Sequence, residues 1–244
     1  MPGGVIICSG EEEMNERAAL SFVEIANSAL SGDNLFTVAL SGGKTPEGLY
    51  SLLSSGKYAR EVNWKKVHFF WGDERAVGPA HIESNYRMCS EALFEKLRMP
   101  EENIHRIKGE KGERAAGDYE KEIRAFFKLK RGAFPEFSLM LLGMGADGHT
   151  ASIFPGTAAV TENRRIAVAV HVESLNTVRI TLTPPVIINA RNIIFLVRGR
   201  EKAGALFKCL EGALAPQESP AQFARLAKGP VTWFVDREAA SKLS

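Results

Sequence analysis

Short apolar runs alternate with longer amphipathic segments along almost the whole 244-residue chain, the pattern of strands buried on both faces by helices. Apolar runs bounded by turn residues predict strands at 5–8, 36–40, 67–71, 138–142, 166–170, 178–182, 193–197 and 231–235. Helical spacing of apolar positions predicts helices over 12–30, 46–53, 84–97, 114–128 and 201–210. Pro46 suits a first helical turn, where the amide it lacks would have no partner. No internal repeat is visible, and the stretch from Ala213 to Pro220, with its two prolines, reads as a surface loop rather than a domain linker. The pattern predicts an α/β fold: a single domain over residues 1–244 with an open, mostly parallel sheet and helices on both faces. In such a sheet ligands bind at the carboxyl ends of the strands.

Composition narrows the partners. Thirty-one Lys and Arg against 29 Asp and Glu leave a formal charge of +2, without the basic stripe of a nucleic-acid binder. No nucleic-acid partner is expected, and an anionic ligand would have to be held locally. The longest apolar stretches, such as 137–144, fall short of the roughly 18 consecutive apolar residues of a membrane span. The N-terminus lacks a basic n-region and runs into Glu11, Glu12 and Glu13, so neither a secretory signal nor a membrane partner is expected. The expectation is a cytoplasmic protein, monomeric or a small homo-oligomer. Cys8, Cys89 and Cys209 are odd in number and far apart, which argues for small buried hydrophobes rather than a disulfide framework or zinc cluster.

Several loops carry candidate chemistry. Ser41-Gly42-Gly43-Lys44-Thr45-Pro46 joins a buried strand to a helix, and its glycines would let backbone amides converge on an anion at the helix N-terminus. The alternative is a plain tight turn. A P-loop is excluded because Val38 stands where that motif needs its first glycine. Gly143-Met144-Gly145-Ala146-Asp147-Gly148 formally contains the dinucleotide fingerprint G-x-G-x-x-G, yet Pro155 and Gly156 leave no room for the long helix it should open. What this loop does offer is Asp147 and His149 two residues apart, suited to a general base with a carboxylate beside it.

Gly72-Asp73-Glu74-Arg75 follows another buried strand and places two carboxylates and a guanidinium within reach of water. Ser84 is positioned to cap the next helix. His81-x-Glu83 has the spacing of zinc deaminases but no Pro-Cys-x-x-Cys partner. Asp73, Asp147 and His149 have ligand chemistry that would suit a divalent ion, but no ligand spacing marks a metal site and none is expected. His68, His105 and His171 read as structural. Arg179 on a strand and Lys202 after Gly199 are bases that could neutralise a phosphate. No G-x-S-x-G elbow and no H-E-x-x-H motif is present.

Taken in order, these segments resemble the 6-phosphogluconolactonase family within the glucosamine-6-phosphate isomerase and deaminase superfamily. The marks are 41–46, Gly72-Asp73-Glu74-Arg75 with Ser84-Asn85-Tyr86, the run from Leu142 to Gly156, Arg179-Ile180-Thr181, Gly199 to Ala203, and the ending Pro220-Ala221 and 231–236. Lys44 departs from the pattern, standing where the family often has Ser. The resemblance implies a Rossmann-like sheet of the glucosamine-6-phosphate isomerase type and hydrolysis of 6-phospho-D-glucono-1,5-lactone to 6-phosphogluconate, in the oxidative pentose phosphate pathway, without metal or organic cofactor. His149 would then be the general base, Asp147 or Asp73 would orient it, and Arg75 would steady the oxyanion. The phosphate would lie on Ser41, Gly42, Gly43, Lys44 and Thr45, with Arg179 and Lys202 adding charge.

Two rival readings remain. An amino-sugar-phosphate isomerase or deaminase would use the same cradle, but that branch carries an acidic residue where this chain has Phe154, and Tyr where it has Arg75. A non-catalytic sugar-phosphate sensor would keep the cradle and dispense with Asp73 and His149, which are both present.

Overall fold

The structure is a computed structural model that describes residues 3–31, 34–173 and 176–244. The chain runs β1 (Gly4–Cys8), α1 (Glu11–Ala29), β2 (Phe36–Leu40), α2 (Lys44–Leu53), β3 (Val67–Trp71), β4 (Asp73–Arg75), α3 (Asn85–Cys89), α4 (Glu95–Leu97), α5 (Arg114–Phe126) and β5 (Leu139–Leu142). It continues with β6 (Ala167–Val172), β7 (Thr177–Leu182), α6 (Pro184–Ile188), β8 (Ile193–Val197), α7 (Ala203–Leu210) and β9 (Val231–Asp236).

Six strands form a sheet in the order β1-β9-β8-β5-β2-β3, every neighbouring pair parallel. All five residues of β2 and of β8 are buried, as expected of apolar runs covered on both faces. Helix α1 buries Met14, Ala18, Phe22 and Ala26, one stripe at four-residue spacing. Phe22 meets the Phe36 ring edge-on at 5.4 Å, which ties this helix to the sheet. Because the six strands run the same way, the loops that follow them open on one edge of the sheet. The last strand, β9, lies between the first strand and β8, and among the described residues β1 pairs with no other strand.

The expected strands near 166–170 and 178–182 exist but leave the parallel sheet. They form β6 and β7, which pair antiparallel, and β7 also pairs antiparallel with β4 to make a second, three-stranded sheet. The two sheets meet at Gly72: its amide donates to Leu40 O at 2.8 Å, and its carbonyl accepts from Leu182 N at 2.8 Å. The expected helix 84–97 is α3 and α4 with a π-wound turn, Ser90–Phe94, between them. Ser84 caps it as anticipated, its Oγ accepting from Arg87 N at 3.2 Å. Helix α7 is shorter than predicted because Arg200–Lys202 is wound as a 3-10 turn. Elements not anticipated include strand β4, α6 and a 3-10 segment at Pro220–Leu226. The three cysteines are free and buried. No described helix is long and apolar enough to cross a membrane.

Candidate active site

The carboxyl ends of β2, β3, β5 and β8, together with β4 and β7, enclose a cavity of about 560 Å³. Each wall follows from local chain chemistry.

One wall is the turn from β2 into α2. Gly43 precedes the helix with φ 95°, a left-handed conformation that disfavours a side chain. A Cβ added to Gly42 would fall 1.8 Å from Asn85 Oδ1, so only glycine leaves room there. Behind the turn the buried Tyr50 hydroxyl donates to Ser41 O at 2.8 Å and accepts from Ser41 N at 3.1 Å. Ser41, Gly42, Gly43 and Thr45 line the cavity. Lys44 does not: it occupies the first turn of α2 with an exposed side chain, outside the lining.

The second wall is β4. Alternation along a strand sends Asp73 and Arg75 to the cavity and Glu74 the opposite way. Glu74, read from the sequence as accessible to water, is only 2% exposed. Its Oε1 accepts from Arg75 N and Asn85 N at 2.8 Å each, and its Oε2 from Tyr86 N at 2.8 Å and Ser84 Oγ at 3.0 Å. Burial raises its pKa, and the amide hydrogen bonds oppose the rise. It closes the α3 N-terminus and belongs to the scaffold. Asp73 Oδ2 accepts from Ser152 Oγ at 2.6 Å, and Asn85 Nδ2 donates to Asp73 O at 2.8 Å.

The floor is the loop after β5. Gly145 N donates to His149 O at 2.8 Å, Gly148 N donates to Gly145 O at 3.1 Å, and Gly148 adopts φ 83°. A Cβ on Gly145 would lie 2.1 Å from His149 Nδ1 and 2.5 Å from Asp147 Oδ1. The glycines that mimic a dinucleotide fingerprint therefore fold a tight loop around a histidine, and no α-helix follows. Asp147 Oδ1 lies 2.6 Å from His149 Nδ1 and also accepts from His149 N at 3.1 Å. The hydrogen bond from His149 lowers the Asp147 carboxyl to about 2, against a smaller opposing effect of burial. Of the two carboxylates considered for His149, Asp147 is the one in contact. With Nδ1 committed to Asp147, Nε2 is left to exchange a proton.

Cations complete the rim. Arg75 and Arg179 are cross-strand partners in the antiparallel β4–β7 pair, and both line the cavity. Among the described residues Arg179 Nη1 is buried with no hydrogen-bond partner, and burial together with the Arg75 charge lowers the Arg179 pKa. Two guanidiniums side by side, one with an unpaired donor, favour an anion between or beside them. Lys202 lines the cavity from the turn before α7. Lining residues not singled out as binding residues from the sequence include Asn85, Ser152, Phe154 and Arg198. Arg198 immediately follows β8 and forms an ion pair with Glu11, so its place at a strand's carboxyl end was the available signal. Asp73, Asp147 and His149 do not converge as a metal site: among the described residues no three His, Cys, Asp or Glu side chains cluster so as to hold an ion.

Residues 9–233 match the family described as glucosamine-6-phosphate isomerases/6-phosphogluconolactonase. The 6-phosphogluconolactonase of Synechocystis sp. is 38% identical over 230 residues, covering 93% of each chain. That of Haemophilus influenzae is 36% identical over 208 residues, covering 84% of this chain and 87% of its own. The solved structure of 6-phosphogluconolactonase from Trypanosoma cruzi is similar with a TM-score of 0.89 at 32% identity, over 100% of this chain and 97% of that one.

Proposed function

The chain belongs to the glucosamine-6-phosphate isomerase/6-phosphogluconolactonase family, and on that premise we propose that it hydrolyses 6-phospho-D-glucono-1,5-lactone to 6-phosphogluconate. The observation that carries the reading is the His149–Asp147 pair at 2.6 Å on the floor of a cavity whose rim is cationic. The named relatives are 6-phosphogluconolactonases, which supports the same reaction here.

In this reading the phosphate lies on the amides after β2, with Arg179 and Lys202 supplying charge. Held there, the lactone presents its carbonyl carbon near His149. His149 Nε2 takes a proton from a water as the oxygen bonds to that carbon, while Asp147 accepts from Nδ1 and stabilises the imidazolium. Arg75 steadies the oxyanion. Collapse of the tetrahedral intermediate breaks the bond to the ring oxygen, which leaves with the proton from Nε2 as the sugar hydroxyl. Asp73, held by Ser152, orients a substrate hydroxyl. The scheme calls on no metal or organic cofactor, and one monomer holds every residue it uses. The pentose phosphate pathway, in the cytoplasm, is where this reaction belongs. The amino-sugar reading is not favoured, since an apolar Phe154 ring lies against His149 where the deaminases resembled above carry an acid.

The test is disappearance of 6-phosphogluconolactone generated in situ, measured against its spontaneous hydrolysis, for wild type and His149→Ala, with and without a chelator. Chelator-resistant acceleration that vanishes in the variant is the expected result. A wild type no faster than the blank would overturn the reading and turn attention to amino-sugar phosphates.

A further inference from the structure

The imidazole of His149 is held by more than Asp147. Its ring centroid lies 4.1 Å from that of Phe154, with 34° between the planes. Phe154 is five residues further along the chain and reaches this place because the backbone turns back on itself. Ile153 N donates to Thr150 O at 3.0 Å, the two residues form an isolated antiparallel bridge, and Ala151 between them takes φ 48°. Left-handed backbone is unfavourable for alanine and persists only where the surroundings fix it.

They do so here on both sides of the turn. Thr150 Oγ1 donates to Gly143 O at 2.8 Å, Ser152 N donates to Thr181 Oγ1 at 3.2 Å, and Ser152 Oγ donates to Asp73. Beyond the turn, Thr157 Oγ1 donates to Phe154 O at 2.8 Å. A strained, multiply anchored turn thus carries one aromatic ring onto the proposed base. A single hydrogen bond at Nδ1 leaves an imidazole free to pivot about that contact, and a ring packed against it removes that freedom.

We propose that Phe154 is a positioning residue for the reaction: its ring fixes the His149 imidazole in the orientation from which Nε2 takes the proton of water. The kinetic consequence rests on the lactonase reading, whereas the ring contact does not. Proton transfer depends steeply on alignment, so loss of the ring should fall on kcat rather than on phosphate binding.

The experiment compares wild type, Phe154→Leu and Phe154→Tyr. Leucine keeps apolar bulk without a flat face, and tyrosine keeps the face. We expect Phe154→Leu to lower kcat about tenfold or more, with KM within about twofold, and Phe154→Tyr to restore most of the rate. Proton spectra supply a readout independent of turnover. The His149 ring protons, identified by their absence from His149→Ala, should be displaced by the Phe154 ring current in wild type and Phe154→Tyr, and released in Phe154→Leu. Retained affinity for 6-phosphogluconate in calorimetry shows that Phe154→Leu is folded, and if that affinity is lost, Phe154→Tyr and the wild-type spectrum carry the test. A Phe154→Leu enzyme with wild-type kcat, a loss that tyrosine does not restore, or undisplaced His149 protons in wild type would overturn the proposal. An inactive wild type would overturn the lactonase reading instead, with the ring contact still decided by the spectra.

Discussion

Two histidine–carboxylate pairs in this molecule are nearly alike in geometry and opposite in setting. His149 Nδ1 lies 2.6 Å from Asp147, and His105 Nδ1 lies 2.9 Å from Glu122. The second nitrogen of His105 is already engaged, 3.1 Å from His68 Nδ1, and its ring is stacked on Phe70 at 4.3 Å. Its side chain is 12% exposed, against 29% for His149. Among the described residues nothing bonds His149 Nε2, and the ring opens on the cavity. The pair itself is therefore no mark of chemistry. What distinguishes the pair proposed to react is a nitrogen left without a partner among the described residues, beside space for a substrate.

The largest expected effect sharpens this contrast. His149→Ala should lower kcat by about two to four decades, whereas His105→Ala should lower the melting temperature and leave kcat within about twofold. Equal losses of kcat in the lactonase assay would break the comparison. Asp147→Asn should cost about one to two decades in kcat by loosening the tautomer and orientation of His149, with little change in KM.

Lys202→Ala should raise KM about tenfold at nearly constant kcat, because in the proposed scheme its charge holds the remote phosphate, and an unchanged KM would remove it from the scheme. Glu74→Gln tests the scaffold side. Replacing one carboxylate oxygen by an amide donor sets it against the amides it now receives, and should cost about 2 kcal/mol in urea unfolding.

The smallest effect concerns acid. The folded-state pKa of Asp147, about 2, lies below its unfolded value near 3.9, so its contribution to stability is complete above about pH 4 and is lost as pH falls toward 2. Asp147→Asn should flatten that segment of the stability profile by less than about 1 kcal/mol, since solvent screens a half-exposed pair.

Much of this was legible from residue pattern. The five-residue runs Phe36–Leu40, Val67–Trp71 and Ile193–Val197 are strands with the predicted bounds, because burial on both faces leaves an uninterrupted apolar signal. The loop holding Asp147 and His149 was legible too, since glycine spacing and acid-base chemistry fall within a few residues. Strand β4 was not, for three charged residues read as loop until their partner β7, about a hundred residues later, is known. The same long-range pairing hid the second sheet and turned Glu74 inward. The resemblance assigned Arg179 and Lys202 to the phosphate, whereas Arg198 follows an ordinary buried strand and its position at that strand's carboxyl end was the one signal for it. The contact of Phe154 with His149 depends on a left-handed alanine, a conformation that residue type argues against.

The position of β9 sets a timetable for the chain. As the protein is synthesised, β1 emerges before the other described strands, yet its strand partner among the described residues is β9, which emerges after them. Neighbours β2, β3, β5 and β8 can assemble beforehand, while β1 and β8 each wait with an edge unfilled. Completion of the sheet is thus deferred until β9 has emerged and enters between them. A message cut before residue 231 would release a chain in which β1 lacks its partner β9 and the edge of β8 stays open, with unpaired strand edges available to other chains.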